Sequence, residues 1–177
     1  MVSSIGRVRN KKGKIMKPSI HKDEYHYICL CKNGKQISKG IAVLVAQAFI
    51  PNPEHLPTVD HINKIRDDNR VSNLRHVTQS QQAANRNRFN NKPTKGCYWH
   101  SNKWRAQICI NYHRYHLGRY ETEQEAANIY DFFCWLYYKE FAVLNTAFPR
   151  AYPPAMREKI DYYVNKYGVF SQQFQRP

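Results

Sequence analysis

The stretch Thr58-Val59-Asp60-His61, followed by Asn73-Leu74-Arg75-His76-Val77 and then Thr78-Gln79-Ser80-Gln81, decides how this chain reads. The first segment has the pattern of a strand end. A polar loop over 63–70 leads to a second short strand at 73–77. Thr78 with Gln81 three residues on fits a capping box, which predicts a helix to about residue 88. The order strand, loop, strand, helix is a compact ββα unit.

Such a unit has chemistry available to it. A strand can present the carboxylate of Asp60 and the imidazole of His61 together, and the following helix, which carries Gln82 and Asn85, can face them with an amide. A hard divalent cation prefers oxygen ligands; Asp60 and a side-chain amide oxygen supply two, with phosphate oxygens and water completing the shell. An imidazole can take a proton from an attacking water near neutral pH, and a metal can stabilise charge on a scissile phosphate and its leaving oxygen. Without more context, the favoured reading of Asp60-His61 is an ordinary turn pair, and of Asn73 a loop cap.

Working outward, the chain has 177 residues, with 28 Lys+Arg against 13 Asp+Glu and a formal charge of +15. That length holds one ordinary domain or two small ones. An apolar share of 42% excludes a disordered basic tail. No apolar run reaches the length of a membrane span, and Met1-Val2-Ser3 opens no signal peptide. Five Cys without framework spacing argue against a secreted disulfide scaffold and for a reducing compartment. The charge favours a polyanion. It gathers in two acid-free runs, one within 1–20 and one over 92–119, and the second is interleaved with Tyr98, Trp99, Trp104, Tyr112 and Tyr115. Two basic grips on a nucleic acid flanking a mixed centre are expected.

Upstream, 25–31 reads as a strand, Asn33-Gly34 as a tight hairpin turn, 36–40 as the return strand and 41–49 as a short helix ended by Pro51 and Pro53. Downstream, 90–93 is a polar linker. Strands follow at 96–100, 104–110 and 113–117; alternation puts Trp104, Ala106, Ile108 and Ile110 on one face and Arg105, Gln107 and Cys109 on the other. Thr122-Glu123-Gln124-Glu125 is a second capping box opening a helix to about 138, with Ala126, Ala127, Ile129, Tyr130, Phe133 and Tyr137 on its packing side. A further helix is expected at 155–167, with no chemistry attached.

Asp60-His61-Ile62-Asn63, Asp68-Asn69-Arg70, Ser72-Asn73-Leu74-Arg75 and Val77-Thr78-Gln79-Ser80 resemble the HNH endonucleases of phages and large viruses, notably the intron-encoded homing type. Gly6-Arg7-Val8-Arg9, Lys17-Pro18-Ser19-Ile20 and Leu44-Val45-Ala46-Gln47-Ala48-Phe49 look like the β-rich NUMOD module that precedes such nucleases. The resemblance implies that Asp60 binds a catalytic Mg²⁺ or Mn²⁺, that His61 is the general base, and that Asn73 orients His61. It implies no structural zinc. Two departures stand out. Gln82 occupies the place of a metal-binding Asn, with an arm one methylene longer. Ala42-Val43 replace a His-Arg pair, so a basic contact is absent there.

Lys95-Gly96-Cys97-Tyr98-Trp99, Lys103-Trp104-Arg105-Ala106-Gln107-Ile108, His116-Leu117-Gly118 and Phe141-Ala142-Val143-Leu144-Asn145 resemble the DNA-binding domain of plant ethylene response factors, the APETALA class. That resemblance implies a three-stranded sheet in the major groove, backed by a helix, with Lys95, Tyr98, His100, Arg105, Gln107, Arg114 and His116 reaching DNA. Cys109 replaces a usual Arg.

The expectation is an α+β protein: a NUMOD-like β module at 1–50 with Arg7 and Arg9 on DNA, a ββα-metal nuclease core at 51–91, an ethylene-response-factor-like domain at 92–148, and a tail at 149–177. Its expected role is a site-preferring, metal-dependent endonuclease nicking double-stranded DNA, acting as a monomer or weak dimer inside the cell. The alternatives are a catalytically degenerate HNH-fold DNA-binding regulator and a basic RNA-binding protein.

Overall fold

The structure, a computed structural model, describes residues 1–32, 34–86, 94–146 and 154–168. It is α+β, and its packing divides into two units, Met1–Gln79 and Ser80–Pro177.

The first unit opens with two isolated antiparallel bridges, Val2 with Val8 and Arg9 with Ile15. The strands β1 (Ser19–Ile20), β2 (His26–Lys32) and β3 (Lys35–Gly40) form an antiparallel sheet in that order. Lys32 pairs with Lys35, leaving room for the two-residue turn expected at Asn33-Gly34. Asn33 lies outside the described residues; Gly34 has φ +74°, as such a turn requires. Alternation along β2 buries Ile28 and half-buries Leu30 while exposing Cys29 and Cys31. Helix α1 (Ile41–Phe49) follows without a break, buries Ile41, Ala42, Val45 and Ala46, and stops where Pro51 denies it a further turn. Strands β4 (Thr58–His61) and β5 (Leu74–Val77) make an antiparallel hairpin, with a 3₁₀ turn at Val71–Asn73 leading into β5.

A single core serves all of this. Val8, Ile28, Ile41, Ala42, Val45 and Leu74 are buried together, with Val59 and Val71 against them. Full burial of side chains such as Ile28 or Val45 stabilises by about 1.5–3 kcal/mol each. The basic N-terminal segment and the β4–β5 hairpin are therefore packed as one body.

The second unit takes in nearly all of α2 (Gln79–Asn85) and a three-stranded antiparallel meander, β6 (Cys97–His100), β7 (Lys103–Ile110) and β8 (His113–Tyr120). Helix α2 is described as far as Asn85; residues 87–93, which hold the expected helix end and linker, lie outside the described residues. Both meander turns are two residues long with positive φ, at Ser101-Asn102 and Asn111-Tyr112. That geometry matches the right-handed twist of paired strands. Helix α3 (Glu123–Tyr138) starts at the expected capping box: Glu125 N–H donates to Thr122 Oγ1 and Thr122 N–H to Glu125 Oε2, each at 3.2 Å.

Ala106, Ile108, Ile110 and Leu117 of the sheet are buried against Ala126, Ala127, Ile129, Tyr130 and Phe133 of α3, and Trp104 is half-buried beside them. Tyr137 is only half-buried, while Cys134, Leu136 and Tyr138 are buried. The wider buried surface of α3 reflects α4 (Pro154–Tyr167), which buries Ile160 and packs Met156, Tyr163, Val164 and Tyr167 on the same core. The tail segment is thus part of the unit's packing. Among the described residues, no helix is long and apolar enough to cross a membrane.

β8 runs three residues beyond its expected end because its register shifts. Arg105 pairs with Arg119 and Gln107 with His116, so Leu117 and Gly118 oppose Ala106 alone. This bulge rephases the strand and returns Tyr120 to the core. Gly118 has φ +106°, and a Cβ there would lie 2.6 Å from Tyr163 Oη and 2.8 Å from Tyr120 Oη. Gly118→Ala is expected to cost about 2 kcal/mol, read as a lower midpoint in urea unfolding.

Candidate active site

Asp60 and His61 end β4 and are both buried, at 9% and 4% exposure. Hairpin register sets Asp60 opposite Arg75 and His61 opposite Leu74. Arg75 donates from Nε and Nη2 to Asp60 Oδ2, both at 3.1 Å. The guanidinium balances a carboxylate that burial alone would penalise. Sequence reasoning assigns no role to Arg75, yet pairing the two strands in register would find it.

The His61 ring makes its hydrogen bond with Asn69: Nε2 lies 3.2 Å from Oδ1. The direction of that bond follows from the amide's other end. Asn69 Nδ2 donates to the Asp67 carbonyl at 3.0 Å, which assigns the oxygen to the His61 side. His61 Nε2 then carries the proton, and Nδ1 keeps the lone pair of a base. The Tyr25 ring packs beside the imidazole, 5.8 Å between centroids. Arg66 lies over Tyr25 at 5.2 Å and donates to the Asp23 carbonyl at 2.9 Å.

The resemblance implies that Asn73 orients His61; in the structure Asn73 accepts from Asn63 N–H at 2.9 Å and donates from Nδ2 to the Asp68 carbonyl at 2.8 Å. Asn73 thereby closes the 63–68 loop, and the residue that touches His61 is Asn69. Asn63 donates to Asp68 Oδ2 at 2.8 Å, and Arg70 grips both oxygens of Asp68 at 2.7 Å. The Arg70 fork holds the Asp68 carboxyl well below the usual carboxylate range. That pairing contributes fully above the pKa of an unfolded Asp, about 3.9, and is lost on acidification. Short amide and carboxylate side chains recur in this loop because each bonds to nearby backbone, which a loop without a ladder needs.

Gln82 is half-buried on α2, and Asn85 is buried one turn on. Among the described residues, no group of three or more His, Cys, Asp or Glu is placed to hold a metal. Asp60 carries carboxylate oxygens, the hard donors that Mg²⁺ or Mn²⁺ prefers.

On the second unit, the outward face of the sheet gathers most of the other expected residues. Tyr98, Arg105 and Arg119 lie in one row by register, Gln107 and His116 in the next, and Cys109 and Arg114 in a third. Tyr98 donates to Gln107 at 3.2 Å, Arg105 lies over the Tyr98 ring at 5.9 Å, and Arg105 Nη2 is 2.6 Å from His116 Nδ1. Burial, then Arg105, Arg114 and Lys166, hold the His116 imidazole below its ordinary value. Arg119 is a residue that sequence reasoning misses, because the bulge moves it onto this face. His100 is exposed, with Ser101 Oγ 3.0 Å from its Nδ1. Arg7 and Arg9 are exposed on the first unit.

The Lys95 ammonium donates to the carbonyls of Ala83, Ala84 and Arg86 at the end of α2, a helix end that carries partial negative charge.

A buried Asp-His pair ending one strand of a hairpin, with an Asn-rich loop and a following helix, marks the HNH endonucleases. Residues 28–84 match the family model HNH endonuclease, and residues 1–31 match the NUMOD4 motif. Residues 1–84 thus carry an HNH endonuclease domain led by a NUMOD4 motif. The chain is homologous to the DNA endonuclease I-HmuI of Bacillus phage SP01, 41% identical over 85 residues, or 48% of this chain and 49% of that protein. Two uncharacterized HNH endonucleases of Acanthamoeba polyphaga mimivirus are also similar. One is 34% identical over 46% of this chain and 25% of its own length, the other 32% identical over 62% and 57%. A solved structure of I-HmuI, titled for DNA binding and cleavage by this HNH homing endonuclease, aligns with 48% of this chain and 49% of its own at a TM-score of 0.43. The chain spans between a quarter and somewhat over half the length of these relatives.

Proposed function

We propose that this chain is a site-preferring endonuclease of the homing type that hydrolyses a phosphodiester bond in duplex DNA with Mg²⁺ or Mn²⁺. The observation that carries this reading is the buried Asp60-His61 pair with His61 held by Asn69. His61 Nδ1 takes the proton from the attacking water. Asn69 keeps the other ring nitrogen protonated and the imidazole aimed, while Asn73 and Asp68 hold the loop that carries Asn69. Asp60 would hold the metal, and the resemblance offers Gln82 as a second oxygen donor. When bound, that ion supplies charge stabilisation at the scissile phosphate and leaving oxygen. The products are a 3′-hydroxyl and a 5′-phosphate. One site per chain gives a nick per binding event by a monomer or weak dimer, wherever the target DNA lies inside the cell.

The outward sheet face of the second unit is a DNA-binding surface of the ethylene-response-factor type. Tyr98, Arg105, Gln107, Arg114 and His116 make its contacts, joined by Arg119, with His100 at the edge. Arg7 and Arg9 form the second grip. Arg105→Ala or Arg114→Ala is expected to weaken binding and to make the slope of log affinity against log salt shallower, by about 0.9 for each phosphate no longer neutralised.

Nicking of supercoiled plasmid and duplex libraries with Mg²⁺ or Mn²⁺ tests the function. A protein that binds duplex DNA with neither ion producing cuts sinks it in favour of a binding-only regulator. In that case a Gln82→Asn change that switches on cleavage would locate the defect. Preference for RNA over duplex DNA in competition would overturn both.

Asn69→Asp gives a sharper check on the base. A carboxylate against Nε2–H favours the imidazolium, which is not a base. The acidic limb of the pH–rate profile is therefore expected to move to higher pH; an unmoved limb would sink the assigned role of Asn69.

A further inference from the structure

We propose that Tyr25 is a positioning residue for cleavage: its ring, carried on the turn between β1 and β2, fixes the plane of the His61 imidazole. The proposal rests on the reading of His61 as the base.

A base has to aim its lone pair as well as carry one. Rotation of an imidazole about its Cβ–Cγ bond is only weakly resisted by the side chain itself. The hydrogen bond from Nε2 to Asn69 Oδ1, at 3.2 Å, does little to stop that rotation. Nε2 lies close to the Cβ–Cγ axis, so turning the ring hardly moves it. Nδ1 stands farther from the axis, and its lone pair swings with the ring. A flat group against the ring face resists this turning directly. Tyr25 is such a group: its ring centroid is 5.8 Å from that of His61, with 43° between the planes, within the range of about 4.5–7 Å at which rings pack.

Tyr25 is itself held. It is half-buried, and its turn is closed by His21 N–H donating to the Tyr25 carbonyl at 3.1 Å and Glu24 N–H to the His21 carbonyl at 2.9 Å. Arg66, in the loop that follows His61, lies over the Tyr25 ring at 5.2 Å and donates to the Asp23 carbonyl at 2.9 Å. Glu24 and His26, on either side of Tyr25, line a groove with Lys64, Ile65, Arg66 and Asp67 of the same loop. The imidazole thus has Asn69 at one nitrogen and Tyr25 on its face, and the loop after His61 supports both. Tyr25 falls within the NUMOD4 match at 1–31 and before the first residue of the HNH match at 28–84. The N-terminal module therefore supplies a wall of the active site as well as a basic grip. Tyr25 takes no proton in the reaction; it acts through His61.

The test uses the full chain, comparing wild type with Tyr25→Leu, Tyr25→Phe and His61→Ala. Nuclear magnetic resonance reads ring-to-ring Overhauser contacts and the His61 ring-proton shifts; nicking of duplex DNA with Mg²⁺ reads kcat and KM separately. Wild type is expected to show the Tyr25–His61 ring contact, and its absence overturns the proposal whatever the variants do. Tyr25→Leu is expected to lower kcat about 100-fold, the cost of a small misplacement of a reacting group, with KM within twofold and the His61 shifts moved by loss of the tyrosine ring current. Tyr25→Phe, which keeps the ring, is expected to behave as wild type in every reading. A Tyr25→Leu protein that cuts as wild type while His61→Ala does not cut sinks the positioning role alone. A His61→Ala protein that cuts as wild type, or a wild type that does not nick, sinks the reading of the base and this proposal with it. Equal loss in Tyr25→Phe and Tyr25→Leu would assign the effect to the hydroxyl and overturn the role of the ring. Should Tyr25→Leu fail to fold, the Overhauser contact and Tyr25→Phe decide.

Discussion

His61→Ala is expected to slow nicking of duplex DNA by about 100- to 10,000-fold, the range for losing a positioned general base, while DNA affinity measured without metal stays within about twofold. The asymmetry follows from where the ring sits. His61 is buried against Tyr25 and bonded to Asn69, so it is not part of the exposed cationic surface that sets affinity. Removal leaves the Asn69 oxygen without its partner in a buried place, at about 1–3 kcal/mol. A melting curve therefore accompanies the rate, and a folded, binding, non-cutting variant is the expected outcome. A variant that cuts at the wild-type rate would show that another group activates the water.

Asp131→Asn is expected to destabilise the C-terminal unit by about 3 kcal/mol, read as a lower urea midpoint. Asp131 is 1% exposed at the middle of α3 and accepts from Asn145 N–H, Asn145 Nδ2, Thr146 N–H and Thr146 Oγ1, all within 2.9 Å. The substitution is nearly isosteric, so no cavity confuses the result. It removes one acceptor oxygen and puts an NH₂ group in front of donors, leaving buried donors unsatisfied. The wild-type carboxyl has a pH signature as well. Burial pushes it above the usual carboxylate range, against the pull of its four donors. A folded state that holds its proton to higher pH than the unfolded chain loses stability as pH rises through that interval. The Asp131 contribution is thus expected to fall as pH rises from about 3.9, the unfolded value, through the raised range of the folded carboxyl. Asp131→Asn removes that slope.

How far sequence reading reaches is clearest residue by residue. Thr58–His61, Ile41–Phe49 and Glu123–Tyr138 have the bounds expected of them, because each is marked locally: alternation, an apolar run closed by prolines, a capping box. Asp60 and His61 are legible as adjacent residues of types that bear chemistry. Asn69 stands in a recognisable motif with no role, since its contact with His61 depends on how the loop folds back. The Lys95 contacts with the end of α2 are not legible, because a lysine in a basic run looks the same whether its ammonium meets phosphate or a helix end. Arg119 and Tyr120 escape the expected β8 because one bulge at Gly118 reverses the phase of a period-two pattern, and only the pairing with β7 reveals it.

The sequence by itself determined the element order, the charge division, the HNH motif and the pairing of a carboxylate with an imidazole. These are set by spacing along one chain, where period and turn chemistry act over a few residues. Tertiary structure alone decided that Arg75 balances Asp60, that Asn69 sets the protonated nitrogen of His61, and that Ser80 of α2 bonds to Tyr138 of α3 within one unit. Those are contacts between residues up to 58 positions apart, as from Ser80 to Tyr138. A hydrogen bond depends on distance and angle in space, and local sequence pattern specifies neither.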